Sequence, residues 1–207
     1  MDLKSLARDE RTDLADFLET LSPEQWDAPT LCGEWRVRDL VAHLVSYDDL
    51  SLRDMAGRFV KGRFTLDGAN DVGLAEYGGR TSGELLALAR KHVRPAGVMA
   101  WSGGVVALTG GVIHHQDIRR PLGLPREIPA ERLVAALRGA LKVPVFGGAR
   151  RARRLRLVAT DLDWSRGSGP EARGSAEAIL MAIAGRPSAV GELSGPGREL
   201  LAERVAR

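Results

Sequence analysis

The stretch GGVIHHQDIRRPLG, Gly110–Gly123, decides how the chain is read. It holds two of the four histidines, His114 and His115. Asp117 follows within one helical turn, then Arg119 and Arg120, then a helix-ending Pro121-Leu122-Gly123. Upstream lies a run almost free of charge: Val105, Val106, Ala107, Leu108, Val112 and Ile113. That pattern predicts a buried helix with paired imidazoles near its end. Buried imidazoles need polar partners, so these either hydrogen-bond to neighbours or bind something.

Working outward, the N-terminal side reads as further helices. Leu3, Leu6, Leu14, Phe17, Leu18 and Leu21 recur at helical spacing. Ser22-Pro23 has the form of an N-cap followed by proline at the first helical position. Trp26 to Trp35 is an irregular connector. A second helix begins near Val37 and is expected to run on through Phe64, with Leu40, Val41, Leu44 and Val45 as its buried stripe. Asp39 and His43, four apart, share the edge of that stripe. Thr65 to Arg80, rich in Gly and Asp, is expected to be a long loop over a site. Thr81 and Glu84 form a capping-box pattern that opens a third helix. The fourth helix is expected over Met99 to Arg120.

The C-terminal side differs. AERLVAALRGALK reads as a helix and RRLRLVATDLDW as a strand with Leu155, Leu157 and Ala159 on one face. Arg166 to Gly169 reads as a turn, Glu171-Ala172-Arg173 as a short strand, Ser175–Ala184 and Gly197–Val205 as helices. The expected class is mainly α: a four-helix bundle over residues 1–124, then a small α/β domain over 125–207.

Composition narrows the function. The 44% hydrophobic content supports a real core, and the 5% of aromatics means that Leu, Val and Ala must build it. A single cysteine, Cys32, allows no internal disulfide and suits a reducing compartment. No stretch reaches the roughly 18 apolar residues of a membrane span. The N-terminus is charged throughout, so the expectation is a soluble, cytoplasmic protein. The net charge of +3 is modest. The one dense basic run, Arg150 to Arg156, lacks interleaved aromatics, so it is read as a solvated loop entering an edge strand and not as a nucleic-acid patch.

Candidate chemistry centres on His43 and His114, on helices expected to face each other. Two neutral imidazoles with further ligands and a water describe an open zinc-type site. Asp117, Asp39 and His115 are the further ligand candidates. Arg119 and Arg120 have the chemistry to hold a carboxylate, or to pair with Asp117 and the helix C-terminus. Cys32, in a connector without an adjacent histidine, is read as an inert buried thiol.

Taken together, PTLCGEWRVRDLVAHL (Pro29 to Leu44), HHQDIRRPLG and the C-terminal RLVATDLDW…GSGPEARGSAEAILMAIAGR resemble the mycothiol-dependent maleylpyruvate isomerase family, within the DinB-like four-helix superfamily. The resemblance covers almost the whole chain. It implies a divalent metal, usually zinc, held by a histidine of the second helix, a glutamate, and a histidine four residues after it. It also implies mycothiol or a similar thiol as cosubstrate, and a transferase or isomerase reaction on a small acidic substrate. By motif, His43 and His114 match the two histidines. The glutamate position holds Gly110. That loss keeps a second expectation open, a non-catalytic DinB-like binding or regulatory protein. The expected partners are small molecules, with no nucleic acid and no membrane; a homodimer is a candidate assembly.

Overall fold

Hydroxyls and carboxylates set where the N-terminal helices begin. In the computed structural model, which describes residues 2–206, Asp2 accepts from the Lys4 N–H and opens α1 (Leu3–Glu19). Ser22 and Gln25 cap the one-turn α2 (Pro23–Trp26) reciprocally. α3 (Val37–Ser46) follows the connector. Ser51 with Asp54 opens α4 (Leu52–Lys61), Thr65 opens α5 (Leu66–Tyr77), and Thr81 with Glu84 opens α6 (Ser82–Lys91). After the one-turn α7 (Gly97–Ala100) comes α8 (Val105–Leu122), closed by Gly123 in the left-handed conformation.

α1, α3, α6 and α8 form the four-helix bundle. Leu14 and Leu18 of α1, Leu40, Val41 and Val45 of α3, Leu85 of α6 and Ile118 of α8 share one buried cluster. Trp26 closes it, with Cys32 and Trp35 of the connector packed against it. This unit ends at Pro125, and a second begins at Arg126.

Three sequence expectations for the first unit are corrected. The second helix is two helices, broken at Tyr47. The break is held by Asp48, whose carboxylate takes Arg11 Nη1 at 2.8 and 2.9 Å and the Ala96 N–H at 3.0 Å. Thr65 to Arg80 is not a long loop, because its glycines serve helix packing. A Cβ on Gly68 would fall on the Gly62 carbonyl oxygen, and one on Gly73 would lie 2.9 Å from Arg58 Nη1. The last bundle helix starts at Val105, not Met99, since Gly103 and Gly104 adopt φ of 63° and 90°.

The second unit contains α9 (Ala130–Lys142), α10 (Gly148–Arg151), β1 (Arg156–Ala159), β2 (Ser165–Gly167), β3 (Glu171–Gly174), α11 (Ala176–Ile183), α12 (Pro187–Val190) and α13 (Gly197–Val205). The sheet order is β2-β1-β3, with β1 antiparallel to β2 and parallel to β3. Leu157 and Ala159 point inward and α11 packs on β1 and β3. The expected turn at Arg166 is strand β2. β1 is therefore the central strand and not an edge. Nor is the arginine run wholly solvated: Arg151 donates to the carbonyls of Phe146 and Ile183 at 2.9 and 3.0 Å. Among the described residues no helix is long and apolar enough to cross a membrane.

In an exposed helix Gly→Ala gains about 1 kcal/mol. At Gly68 the backbone contact with Gly62 reverses the sign. We expect Gly68→Ala to destabilise the protein by roughly 1–3 kcal/mol, seen as a lower urea midpoint and as faster amide exchange over residues 62–77.

Candidate functional site

His43 stands in the last turn of α3, where the buried stripe carries it toward α8. Its ring centre lies 5.0 Å from that of Trp35 and 5.3 Å from Tyr47. The His114 ring meets it edge-on, at 5.4 Å and 80°. Nδ1 of His43 is buried and has no partner among the described residues. Burial pushes this imidazole's pKa down to about 3; the neighbouring His114 and Arg58 charges act in the same direction, and a hydrogen bond with Asn70 opposes them. His43 is therefore neutral at physiological pH, with a lone pair to offer.

α4 and α5 complete these surroundings. Arg58 of α4 is 2% exposed. Its Nη1 donates to Ser46 Oγ at 3.0 Å and its Nη2 to Glu76 at 2.7 Å, while its Nε has no partner among the described residues. Tyr47 donates to Asn70 Oδ1 at 2.6 Å. Neither Arg58 nor Asn70 was visible as a site residue in the sequence, since one sat in an assumed helix extension and the other in an assumed loop.

His114 faces a second group. Its Nδ1 lies 3.0 Å from Asp117 Oδ2, and Cys32 Sγ lies 3.0 Å from the same oxygen and 3.7 Å from Nδ1. The three ligand atoms all fall within 4.8 Å of one another. Asp117 has no exposed surface. The connector is docked there by its backbone, with the Leu31 N–H donating to the Asp117 carbonyl at 3.1 Å. The Cys32 N–H is held in turn by Thr30 Oγ1 at 3.1 Å. Cys32 has no histidine near it in sequence, but the fold brings His114 beside it.

His115 turns the other way. Its Nδ1 meets Glu10 Oε1 at 3.0 Å, and both side chains are fully buried. Its Nε2 lies 2.8 Å from Arg119 Nε. Arginine can only donate, so Nε2 carries the lone pair and Nδ1 carries the proton, given to Glu10. His115 is thus a neutral imidazole with both nitrogens engaged. Arg119 also donates to the Leu124 carbonyl at 3.0 Å and stacks on Phe17 at 3.7 Å.

Of the sequence-predicted residues, the structure brings together His43, His114 and Asp117. Asp39 is taken up at the start of α3, accepting from the Arg36 N–H and guanidinium at 3.0 Å. His115 belongs to the α1–α8 contact. Arg120 lies half-buried in the last turn of α8. Gly110 is buried in α8 and offers no carboxylate.

The donor set fits a divalent metal: two imidazoles, a carboxylate and a thiol, with the buried His43 Nδ1 unpartnered among the described residues. Two imidazoles bound tetrahedrally to one ion have ring centres about 5 Å apart, close to the 5.4 Å between His43 and His114.

The family model for the mycothiol maleylpyruvate isomerase N-terminal domain matches residues 7–119, more than half of the chain. Among solved structures, the fold is shared with the mycothiol-dependent maleylpyruvate isomerase, at a TM-score of 0.58, and with a histidine-to-alanine mutant of that enzyme, at 0.62. Each is 14% identical, and each alignment covers 94% of this chain and 91% of the other. At that identity the likeness is one of fold. No curated protein matches the chain in sequence.

Two outcomes are expected from these environments. The His43 pKa is depressed in the folded protein, so unfolding takes up a proton wherever the pH lies between about 3 and the ordinary 6.5. Its contribution to stability is complete above 6.5 and is lost as the pH falls toward 3. Denaturation midpoints of metal-stripped protein should fall across that window, and less steeply for His43→Gln. At the other imidazole, Glu10→Ala should cost about 3 kcal/mol. Glu10→Gln, whose amide oxygen still accepts from a neutral His115, should retain most of that stability in the same denaturant assay.

Proposed function

From the premise that this chain belongs to the mycothiol maleylpyruvate isomerase N-terminal domain family, we propose that it is a metal-dependent isomerase or transferase using mycothiol or a similar low-molecular-weight thiol. The observation that carries the reading is the edge-on approach of His43 and His114. They stand 71 residues apart in sequence and bring one lone-pair nitrogen with no partner among the described residues.

His43 and His114 would hold the ion, with Asp117 as the carboxylate beside them. Zinc is the metal that suits such a donor set. Its chemical contribution is to favour the thiolate form of a bound thiol at neutral pH. The protein's own residues do the rest. Burial keeps His43 unprotonated and therefore competent as a ligand. Trp35 and Tyr47 fix its ring by packing on it. Asp117 Oδ2 lies 3.0 Å from His114 Nδ1, so the two donor atoms face one point.

An acidic substrate needs a cation. Arg119 is held by His115, Leu124 and Phe17. Arg58 is close enough to depress the His43 pKa and has an Nε donor with no partner among the described residues. We therefore add Arg58, through the Nε left over after its bonds with Ser46 and Glu76, to Arg119 and Arg120 as guanidiniums able to meet a carboxylate.

Protein purified without chelator should contain about one equivalent of metal by elemental analysis. His43→Ala and His114→Ala should each lose it while keeping the helical circular dichroism of the parent. A metal-free protein whose melting temperature ignores added zinc would end this reading.

A further inference from the structure

α8 has no carboxylate four residues before His114, because that place is Gly110. Two neutral imidazoles alone would leave a dication's charge uncompensated in a partly buried site, which is costly. We propose that Cys32 fills the gap: its thiolate is an anionic ligand of the metal, alongside His114 and Asp117. This rests on the metal reading above and adds a ligand to it.

The geometry separates a ligand cluster from a nucleophilic triad. In a thiol–imidazole–carboxylate triad the ring stands between its partners and uses one nitrogen for each. Here Cys32 Sγ and His114 Nδ1 both address one carboxylate oxygen, Asp117 Oδ2, each at 3.0 Å, and Nδ1 is also the nitrogen 3.7 Å from sulfur. The donors converge on a point and do not form a relay. An ionised Asp117 can only accept, so in the metal-free protein that point is filled by two hydrogens, those of the thiol and of Nδ1. A divalent ion replaces both.

The charges then balance. Thiol, imidazole and carboxylate carry a net −1. Ion, thiolate, imidazole and carboxylate carry zero. One proton leaves to solvent, that of the thiol, and the imidazole hydrogen moves from Nδ1 to Nε2. Soft thiolate with imidazole suits zinc or cobalt.

Two further features point the same way. The sulfur is pre-positioned, because the connector's backbone is fixed to α8 through the Leu31 N–H and to Thr30 through the Cys32 N–H. Beside the cluster, the buried His43 Nδ1 has no partner among the described residues, although its ring touches that of His114. A cation among these donors would also give that nitrogen a partner.

The test is cobalt(II) titration of metal-stripped protein, with a phosphine reductant and no added thiol. Cys32 is the sole cysteine, so an intense near-ultraviolet thiolate-to-cobalt charge-transfer band has one source in the chain. We expect that band to saturate at one equivalent. Cys32→Ser should bind cobalt roughly tenfold or more weakly and without the band. Zinc should slow alkylation of Cys32 by iodoacetamide in the parent protein. Cobalt bound without the band, and lost in His43→Ala, would overturn the thiolate ligand while leaving the metal reading intact. No cobalt uptake at all would overturn both. Should Cys32→Ser fail to fold, the band and the alkylation rate of the parent protein decide alone.

Discussion

The hydrogen bond between Glu10 and His115 sets the arrangement of the bundle. It lies in the buried contact between α1 and α8, where neither partner can reach water. A buried carboxylate left unpaired would be costly, so α8 is held in the one rotation that presents His115 to α1. Gly111, on the same side of α8, makes the close approach workable: a Cβ there would stand 3.3 Å from Glu10 Cγ. Successive helix residues are turned by about 100°. Fixing His115 on α1 therefore aims His114 away from it, toward α3 and the connector.

The same geometry divides the labour of adjacent residues. His115 and Arg119 hold the helix, and Phe17 and Leu124 complete their contacts. His114 and Asp117 look into the site. Four polar residues on one helix end thus separate into a pair that faces α1 and a pair that faces the connector, though the sequence presents them as one motif, HHQDIRR.

Burial then tunes the chemistry. His43 is kept neutral by desolvation and by the neighbouring His114 and Arg58 charges, so its lone pair is not taken up by a proton near pH 7. Asp117 is the buried carboxylate on the opposite side, with Cys32 Sγ and His114 Nδ1 each 3.0 Å from its Oδ2. α4 and α5 hold Arg58 and Asn70 against His43 because Gly62, Gly68 and Gly73 allow backbones and a guanidinium to approach closely. Cys32 of the connector and Asp117, on α8 itself, are the groups that stand beside His114, where Gly110 offers no carboxylate.

The sequence by itself determined what local chemistry controls. Ser22-Pro23, Thr81 with Glu84 and Gly123 mark helix ends, because caps act within a few residues, and the structure starts and stops helices there. Apolar spacing revealed the mainly helical first unit, and alternation around Leu157 revealed β1. The pairing of His43 with His114 followed from the motifs and the family resemblance. Tertiary structure decided the rest. Whether a glycine marks a loop or a close contact depends on what lies opposite, which made α5 read as a loop and hid Asn70. Whether an arginine is held within the protein depends on its neighbours, which tie Arg119 to His115 and Leu124 and Arg58 to Ser46 and Glu76. Cys32 and His114 are 82 residues apart, and no pattern of period two or 3.6 reaches across such a distance. Only the docking of the connector on α8 sets thiol, imidazole and carboxylate around one point.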